Sequence, residues 1–392
     1  MAVANRIVFV LSQFQLGGAE KQLATLLAHR PAWAIGLDVH SVTFAPPGSR
    51  EMAERYAALG VRDTLVERQT TTFAGFMIGL LRAIRRLDPA IVHTVLDHST
   101  GTWGRLAAWM LRVPAIVMSD LSLGEEGGRV HFALRPFLDS RTHRFLPNAE
   151  AIADRLASKG VPRSRITVIP CGVDLDTFDP ARVAPRGTML REAWGVAQDA
   201  VVAGYLGRFS ELKRVDLLVE AVLTIPESER PGHLVLAGDG PTMPLVRALC
   251  DGDPWLRAHC RLLGMIEDTA EFLSAIDYLV LSSDTEGLPN AVLEAMAMAR
   301  PVVATGVSDV PRVIDGAGFV AEPGNVQSIA VALRAMQRLA PHERRTLGEH
   351  GRQRVKREYD IKNVAERFWC EHAALLPAFP AAAGRESVAV QS

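Results

Sequence analysis

The chain has 392 residues, 48% of them hydrophobic, with a formal net charge of −1. That length accommodates two domains of ordinary size, and the near-neutral balance gives no reason to expect a nucleic-acid partner. Four scattered cysteines, Cys171, Cys250, Cys260 and Cys370, show no metal-ligand spacing, and their scarcity fits a reducing compartment.

The apolar run from Arg6 to Leu11 is too short and too early for a secretory leader. Charges such as Arg112 interrupt longer apolar stretches before they reach ~18–20 residues, so no transmembrane helix is predicted. The expectation is a cytoplasmic protein, peripheral at most to the inner membrane face. Residues 1–180 carry 20 Lys and Arg against 17 Asp and Glu, and the remainder 23 against 27, a slight hint that the first half faces something anionic.

Ile7 to Leu11 reads as a strand ending in a Gly17-Gly18 pair, with a helix pattern following through Leu23, Leu26 and Leu27. Such a pair either lets backbone amides approach a phosphate or sugar, or simply makes a tight turn. Leu37 to Phe44 is a second strand, and Glu51 to Leu59 a helix ended by Gly60. Phe73, Phe76, Met77, Leu80, Leu81, Ile84 and Leu87 recur at helical spacing beside Arg82, Arg85 and Arg86. This pattern fits a core-packed helix with a solvated basic edge, or a helix touching anionic headgroups.

Ala90 to Val95 and Ala115 to Met118 are further strands flanking a helix at 104–111, and Ser119-Asp120 follows at a strand end. His93 and His98 read as strand-end histidines satisfied by backbone, and the polar loop through Gly127-Gly128 as mobile. Arg144 to Asn148 and Ile166 to Pro170 read as short strands around a helix at 149–159. Residues 171–198 lose the pattern amid Pro180, Pro185 and Gly187, which predicts a linker. A second α/β series begins at Ala200, with strands at 201–206, 233–237, 261–263, 278–281, 301–305 and 318–320. Helical patterns follow at 329–339 and across 347–376.

Three stretches of this second half carry chemistry. Gly207-Arg208 through Lys213-Arg214 puts two cations at a strand end before a helix, which suits a diphosphate or is a solvated basic turn. Gly238-Asp239-Gly240-Pro241 is another open turn after a strand. Glu286 and Glu294 bracket a strand–loop–helix–strand unit at 278–305. As acceptor-only carboxylates they suit ribose or hexose hydroxyls; otherwise one is a solvated loop residue and the other complements a helix dipole.

These residues resemble the retaining glycosyltransferases of family 4, of the GT-B fold. Glu286-Gly287-Leu288-Pro289-Asn290 through Glu294-Ala295-Met296-Ala297 is similar to that family's Glu-x7-Glu motif, and Gly207-Arg208 through Lys213 to its diphosphate clamp. Gly17-Gly18-Ala19-Glu20 resembles its glycine loop, and Val168 to Asp174, with Phe178, the stretch before its interdomain linker. The resemblance covers residues 5–375. It implies an α/β fold of two doubly wound Rossmann-like domains facing a central cleft. An acceptor-side domain would span 1–180, a linker 181–198 and a nucleotide-sugar domain 199–360. A helix at 361–376 would cross back to the first domain, leaving a disordered tail at 377–392.

The implied reaction moves a hexosyl unit from a nucleoside-diphosphate sugar to a glycan or lipid-linked glycan, with neither metal nor other cofactor. Arg208 and Lys213 would stabilise the departing diphosphate, Glu286 would hold the donor sugar and Glu294 the ribose. Gly17, Gly18, Gly207, Gly238, Gly287, Leu288, Pro289 and Asn290 would surround the donor. Three positions depart from the family's pattern. Ser119-Asp120 stands where a His is common, and Asp120 is expected to accept a sugar hydroxyl or orient the acceptor. Cys171 replaces a common Asn as a turn variant, not a nucleophile, and Arg300 replaces a common Gly. A sugar-nucleotide epimerase, a phosphorylase on the same fold and a non-catalytic nucleotide-sugar-binding module are the alternatives. A dehydrogenase fits poorly, since no Gly-x-Gly-x-x-Gly follows a strand.

Overall fold

The computed structural model describes residues 5–69, 71–96, 99–124 and 128–376. The tail at 377–392, His98 and Gly127, on which expectations were placed, lie outside the described residues.

The first domain is a six-stranded parallel sheet of β1 (Arg6–Leu11), β2 (Asp38–Thr43), β3 (Arg62–Leu65), β4 (Ile91–Val95), β5 (Ala115–Ser119) and β6 (Arg144–Phe145), in the order β3-β2-β1-β4-β5-β6. Its helices are α1 (Gly18–Ala28), α2 (Arg50–Ala58), α3 (Phe73–Leu87), α4 (Arg105–Met110), α5 (Arg129–Arg141) and α6 (Glu150–Ser158). β1 is apolar along most of its length because both faces are covered, as parallel sheets require. Ile7, Phe9 and Leu11 join the cluster under α1, whereas Val8 and Val10 join the cluster that includes Phe76, Leu80 and Ile84 of α3. Thr72 starts α3 by accepting from Gly75 N at 3.1 Å, and Asp88, left-handed at φ 44°, ends it.

After α7 (Pro180–Ala193), the second domain repeats the design with β7 (Val202–Leu206), β8 (His233–Ala237), β9 (Cys260–Gly264), β10 (Tyr278–Leu281), β11 (Val302–Thr305) and β12 (Gly318–Ala321). The order β12-β11-β10-β7-β8-β9 is again parallel throughout. Its helices are α8 (Val215–Thr224), α9 (Met243–Gly252), α10 (Pro254–His259), α11 (Thr269–Ala275), α12 (Asn290–Ala297), α13 (Val310–Val313), α14 (Val326–Arg338) and α15 (Pro341–Glu358). Both sheets therefore show the doubly wound order in which the winding reverses beside the first strand.

The chain then returns. α16 (Ile361–Ala373) leaves the second domain and completes the core of the first with Ile361, Val364, Ala365, Phe368 and Trp369. The buried Trp369 indole donates to Leu26 O at 3.0 Å, and Arg144 pairs with Glu371 at 2.9 Å. The domains also meet at Asp309, whose carboxylate accepts from Glu150 N and Ala151 N, at 2.8 and 3.0 Å, at the start of α6.

Several expectations need correction. Residues 181–198 are mostly helix, not linker: Asp179 accepts from Ala181 N at 3.0 Å as N-cap, and Pro180 sits at the first turn where its missing N–H costs nothing. Gly187 is a packing residue, since a Cβ there would lie 2.2 Å from Ser274 Oγ of α11. Ile166 to Pro170 is not a full strand. Thr167 N and Ile169 N donate to Phe145 O and Pro147 O, at 3.0 and 2.8 Å, but Pro147 has no N–H to return. β3 was not foreseen because its burial is slight, and α5 because the loop before it hid its start.

Candidate functional site

The loops leaving β1, β7 and β10 and the strand residues His93 and Val95 of β4, from the strands flanking the two reversals, open onto one cleft of about 620 Å³ between the domains. Gly17, Gly18, Gly207, Arg208, Lys213, Gly238, Glu286, Gly287, Leu288, Pro289, Asn290 and Glu294 all line it. Asp120 alone among the expected residues does not, although its neighbours Ser119 and Leu121 do.

Glu286 is nearly buried and doubly held. Lys213 Nζ pairs with its Oε1, and Ser283 Oγ donates to the same atom at 2.6 Å. These contacts leave Oε2 as the oxygen to meet a ligand. The pairing joins two loops that are far apart in sequence, and Ser282 Oγ strengthens the junction by donating to Lys213 O at 2.9 Å. Arg208 is exposed at the cleft wall, its backbone fixed by Tyr205 OH donating to Arg208 O at 3.1 Å.

Glycine governs how closely the walls approach. Gly238, at φ 132°, brings the β8 loop against the β7 loop, where a Cβ would lie 1.8 Å from Gly207 O. At Gly287 a Cβ would lie 2.3 Å from Leu121 O and 2.7 Å from Asn148 Oδ1, both in the opposite domain. Asn290, the first residue of α12, donates to Gly18 O at 3.2 Å. The start of α12, with its unsatisfied amides, thus faces the glycine loop across the cleft.

Glu294 lies half-buried on α12 with no hydrogen-bond partner among the described residues, and burial pushes its carboxyl up to about 7. Lys21 of α1, on the opposite wall, pulls in the other direction without offsetting that burial. Cys171 Sγ donates to Leu288 O at 3.5 Å and accepts from Asn148 Nδ2 at 3.6 Å. Burial, with the Glu294 and Glu286 carboxylates adding to it, pushes that thiol up to about 12, so Cys171 is no nucleophile. Arg300 is structural, donating to Leu273 O and Ser274 O at 3.0 and 2.8 Å.

Two expectations fail. Asp120 is turned away from the cleft into a buried ion pair with Arg155 at 2.5 Å, and Arg135 lies 3.8 Å away. A carboxylate so enclosed neither takes a sugar hydroxyl nor orients an acceptor. His93 is not satisfied by backbone: its ring contacts His372 Nε2 at 2.9 Å and Ser119 Oγ at 2.8 Å. Sequence reasoning placed Ser119 at a crevice position but gave it no role, and it missed Lys21, Asn148, Met265 and Ile266 as lining residues. Strand-end position was a usable signal for Met265, as it was for Ser119, but nothing in the sequence marks Lys21. Among the described residues no group of three or more His, Cys, Asp or Glu stands together as a metal site.

The family model described as Glycosyltransferase Family 4 matches residues 16–177, and the one described as Glycosyl transferases group 1 matches residues 200–338. The chain is 29% identical over 273 residues to the UDP-Gal:alpha-D-GlcNAc-diphosphoundecaprenol alpha-1,3-galactosyltransferase of Escherichia coli, covering 66% of this chain and 68% of that protein. It is 28% identical over 352 residues to the putative glycosyltransferase EpsF of Bacillus subtilis, covering 86% and 88%. Among solved structures it is similar to Anabaena Alr3699/HepE in complex with UDP and glucose, with a TM-score of 0.79, 18% identity and coverage of 94% and 99%. It is also similar to WaaG, a glycosyltransferase involved in lipopolysaccharide biosynthesis, with a TM-score of 0.72, 16% identity and coverage of 95% and 100%. At those identities the structural likeness carries the fold.

Proposed function

The chain belongs to the glycosyltransferases of family 4, and from that premise we propose that it is a retaining, metal-independent hexosyltransferase using a nucleoside-diphosphate sugar. The observation that carries this reading is the Lys213–Glu286 pair at the cleft floor, with Arg208 beside it and the start of α12 behind it. Lys213 and Arg208 neutralise the diphosphate as it leaves, as fixed charges do where charge develops in a transition state. Glu286 Oε2 accepts a donor-sugar hydroxyl, Glu294 holds the ribose, and the Gly287 and Leu288 amides face phosphate or sugar oxygens.

In the front-face route, the acceptor oxygen attacks the anomeric carbon from the side the diphosphate leaves. The bond from that carbon to the diphosphate breaks, a new carbon–oxygen bond forms, and the departing phosphate oxygen takes the acceptor's proton. The acceptor in this reading is a glycan or lipid-linked glycan. The galactosyltransferase relative is named for a diphosphoundecaprenol-linked substrate, which favours the lipid-linked form. Contact with anionic membrane is supported by α3, where Arg82, Arg85 and Arg86 are exposed together with Phe73 and Ile78.

A thermal-shift screen of UDP-, GDP- and ADP-sugars tests the donor. A ligand at a hundredfold excess over its dissociation constant stabilises by about 2.7 kcal/mol, so the true donor stands clear of the others. Glu286→Gln and Lys213→Ala are each expected to lower turnover roughly 10²–10³-fold with the fold intact. Near-normal turnover in both overturns the site assignment. Loss of activity in EDTA, restored by a divalent ion, overturns metal independence.

A further inference from the structure

From α16 to the N-terminal wall of the cleft, which His93 and Ser119 both line, runs a chain of hydrogen bonds that the transfer reaction, as described, does not use. His372 of α16 places Nδ1 2.8 Å from Phe368 O, and its Nε2 lies 2.9 Å from His93 Nδ1 on β4. His93 Nε2 in turn lies 2.8 Å from Ser119 Oγ at the end of β5. Both rings are fully buried, enclosed by Phe9, Phe368 and Trp369, and burial lowers the His372 ring to about 4 and the His93 ring well below its ordinary value. Both imidazoles are therefore neutral at physiological pH, each with one N–H and one lone pair.

A fixed polarity follows. A peptide carbonyl only accepts, so His372 Nδ1 carries the hydrogen and its Nε2 is a lone pair. His93 Nδ1 must then donate to that lone pair, and its own Nε2 must accept. Ser119 is left to donate its only hydrogen to His93. Toward the cleft, which it lines, Ser119 Oγ presents lone pairs alone.

A second observation points the same way from the adjacent segment. Leu146 N donates to Met118 O at 2.8 Å, which sets the stretch through Asn148 beside the end of β5. Because Cys171 spends its S–H on Leu288 O, its sulfur accepts from Asn148 Nδ2, and this fixes the amide orientation. Asn148 Oδ1 is then a buried acceptor without a partner among the described residues, on the cleft wall opposite Gly287. An unpaired buried acceptor of this kind is destabilising unless a ligand supplies the hydrogen.

We infer that Ser119 and Asn148 form an acceptor-only wall that takes hydroxyl hydrogens of the transferred sugar, with His93 and His372 as positioning residues that fix the polarity of Ser119. The inference rests on the nucleotide-sugar reading above. A Ser–His–His nucleophile is excluded by the same geometry. The chain ends on a peptide carbonyl rather than a carboxylate, so a proton passed to His93 would be an uncompensated buried charge. The wall selects ligands rich in hydroxyl donors and disfavours groups that only accept. It also ties that selection to α16, an element from the far end of the chain.

The test has two arms on the full chain. In the first, ¹⁵N-histidine NMR assigns tautomers, with His372→Gln and His372→Leu locating the two rings. Both rings are expected as neutral Nδ1–H forms at pH 7. The Leu variant, lacking the acceptor, is expected to release His93 to the Nε2–H form, and the Gln variant, whose amide oxygen still accepts, to retain Nδ1–H. His93 found as Nε2–H in the unaltered chain overturns the inference, because Ser119 would then offer its hydrogen to the cleft. In the second arm, UDP-glucose, UDP-galactose, GDP-mannose and their monodeoxy analogues are compared on the unaltered chain and on Ser119→Ala. For the donor that binds, the variant is expected to raise KM roughly 3- to 10-fold. That penalty should vanish for one monodeoxy analogue, and an equal penalty for all analogues overturns the inference. Should no nucleotide sugar bind the unaltered chain, the donor reading fails, whereas the tautomers still decide the relay.

Discussion

Glu294 shows how one side chain couples the site to pH. Its carboxyl is held up to about 7 by burial, against an ordinary value of 4.5. Between those values the folded chain keeps a proton that the unfolded chain has released, so stability without ligand falls as pH rises through that window. Glu294→Gln is expected to remove this decline and to raise the melting temperature at pH 8, by about 1–3 kcal/mol of stability. A calorimetric comparison at pH 5 and pH 8 measures it. A ribose hydroxyl donating to the ionised form also favours ionisation, so donor affinity is expected to rise from pH 6 to pH 8 in the unaltered chain and to stay level in Glu294→Gln. The buried His372 works in the opposite sense. Its lowered value leaves the unfolded chain holding more protons below pH 6.5, so stability is lost as pH falls toward 4.

Residue-scale legibility was uneven for a physical reason. Glu286, Arg208 and Lys213 sit on loops at strand ends, and Glu294 midway along the helix that follows one, positions whose backbone path brings them to the cleft. Asp120 sits at an equivalent strand end, yet Arg155, 35 residues later, pulls it inward. That competition between cleft and ion pair is decided by packing of α6, which the local sequence does not display.

At the scale of elements, the site depends on two walls meeting at glycine. Gly287→Ala introduces a Cβ 2.3 Å from Leu121 O, a backbone atom that cannot rotate away, and the walls must separate. Displacement of reacting groups by ~1 Å costs about 10²-fold in rate. The variant is therefore expected to fold with a near-normal melting temperature while kcat/KM falls by about that factor. A steady-state assay beside a thermal melt separates the two effects. The opposite lesson comes from α7. Its Pro180, Pro185 and Gly187 read as breaks, because proline and glycine usually interrupt helices. Here one proline opens the helix and the glycine admits α11 at close range. The doubly wound strands, each covered on two sides, were plain from their apolar runs. Elements such as β3, with mostly exposed residues, left no comparable pattern.

At the scale of the whole molecule, the two domains are joined by more than the crossing before α7. Val173 N donates to Tyr359 O at 2.8 Å and Ile361 N to Val173 O at 3.0 Å, so the outgoing and returning chains lie side by side. Trp369→Ala removes a fully buried indole and its bond to Leu26 O. It is expected to cost about 3–5 kcal/mol, and to do so in the first domain, although the residue lies near the end of the chain. Hydrogen exchange localises the loss, with α1 and β1 losing protection before β7 and β10. The exposed basic edge of α3 belongs to this scale too. Replacing Arg82, Arg85 and Arg86 by Ser is expected to weaken binding to vesicles of anionic lipid without changing turnover on a soluble acceptor, and a flotation assay reads it.

The return of α16 also orders events during synthesis. A nascent chain usually folds its leading domain while the trailing one is still being made. Here the apolar faces of Phe9, Leu23 and Ile91 wait for Phe368 and Trp369, which leave the ribosome only after the whole second domain. The first half thus travels through translation with an open seam in its core, and closing that seam is what makes His93, and with it Ser119, ready for substrate. An unfinished chain for that reason lacks the fixed polarity of Ser119.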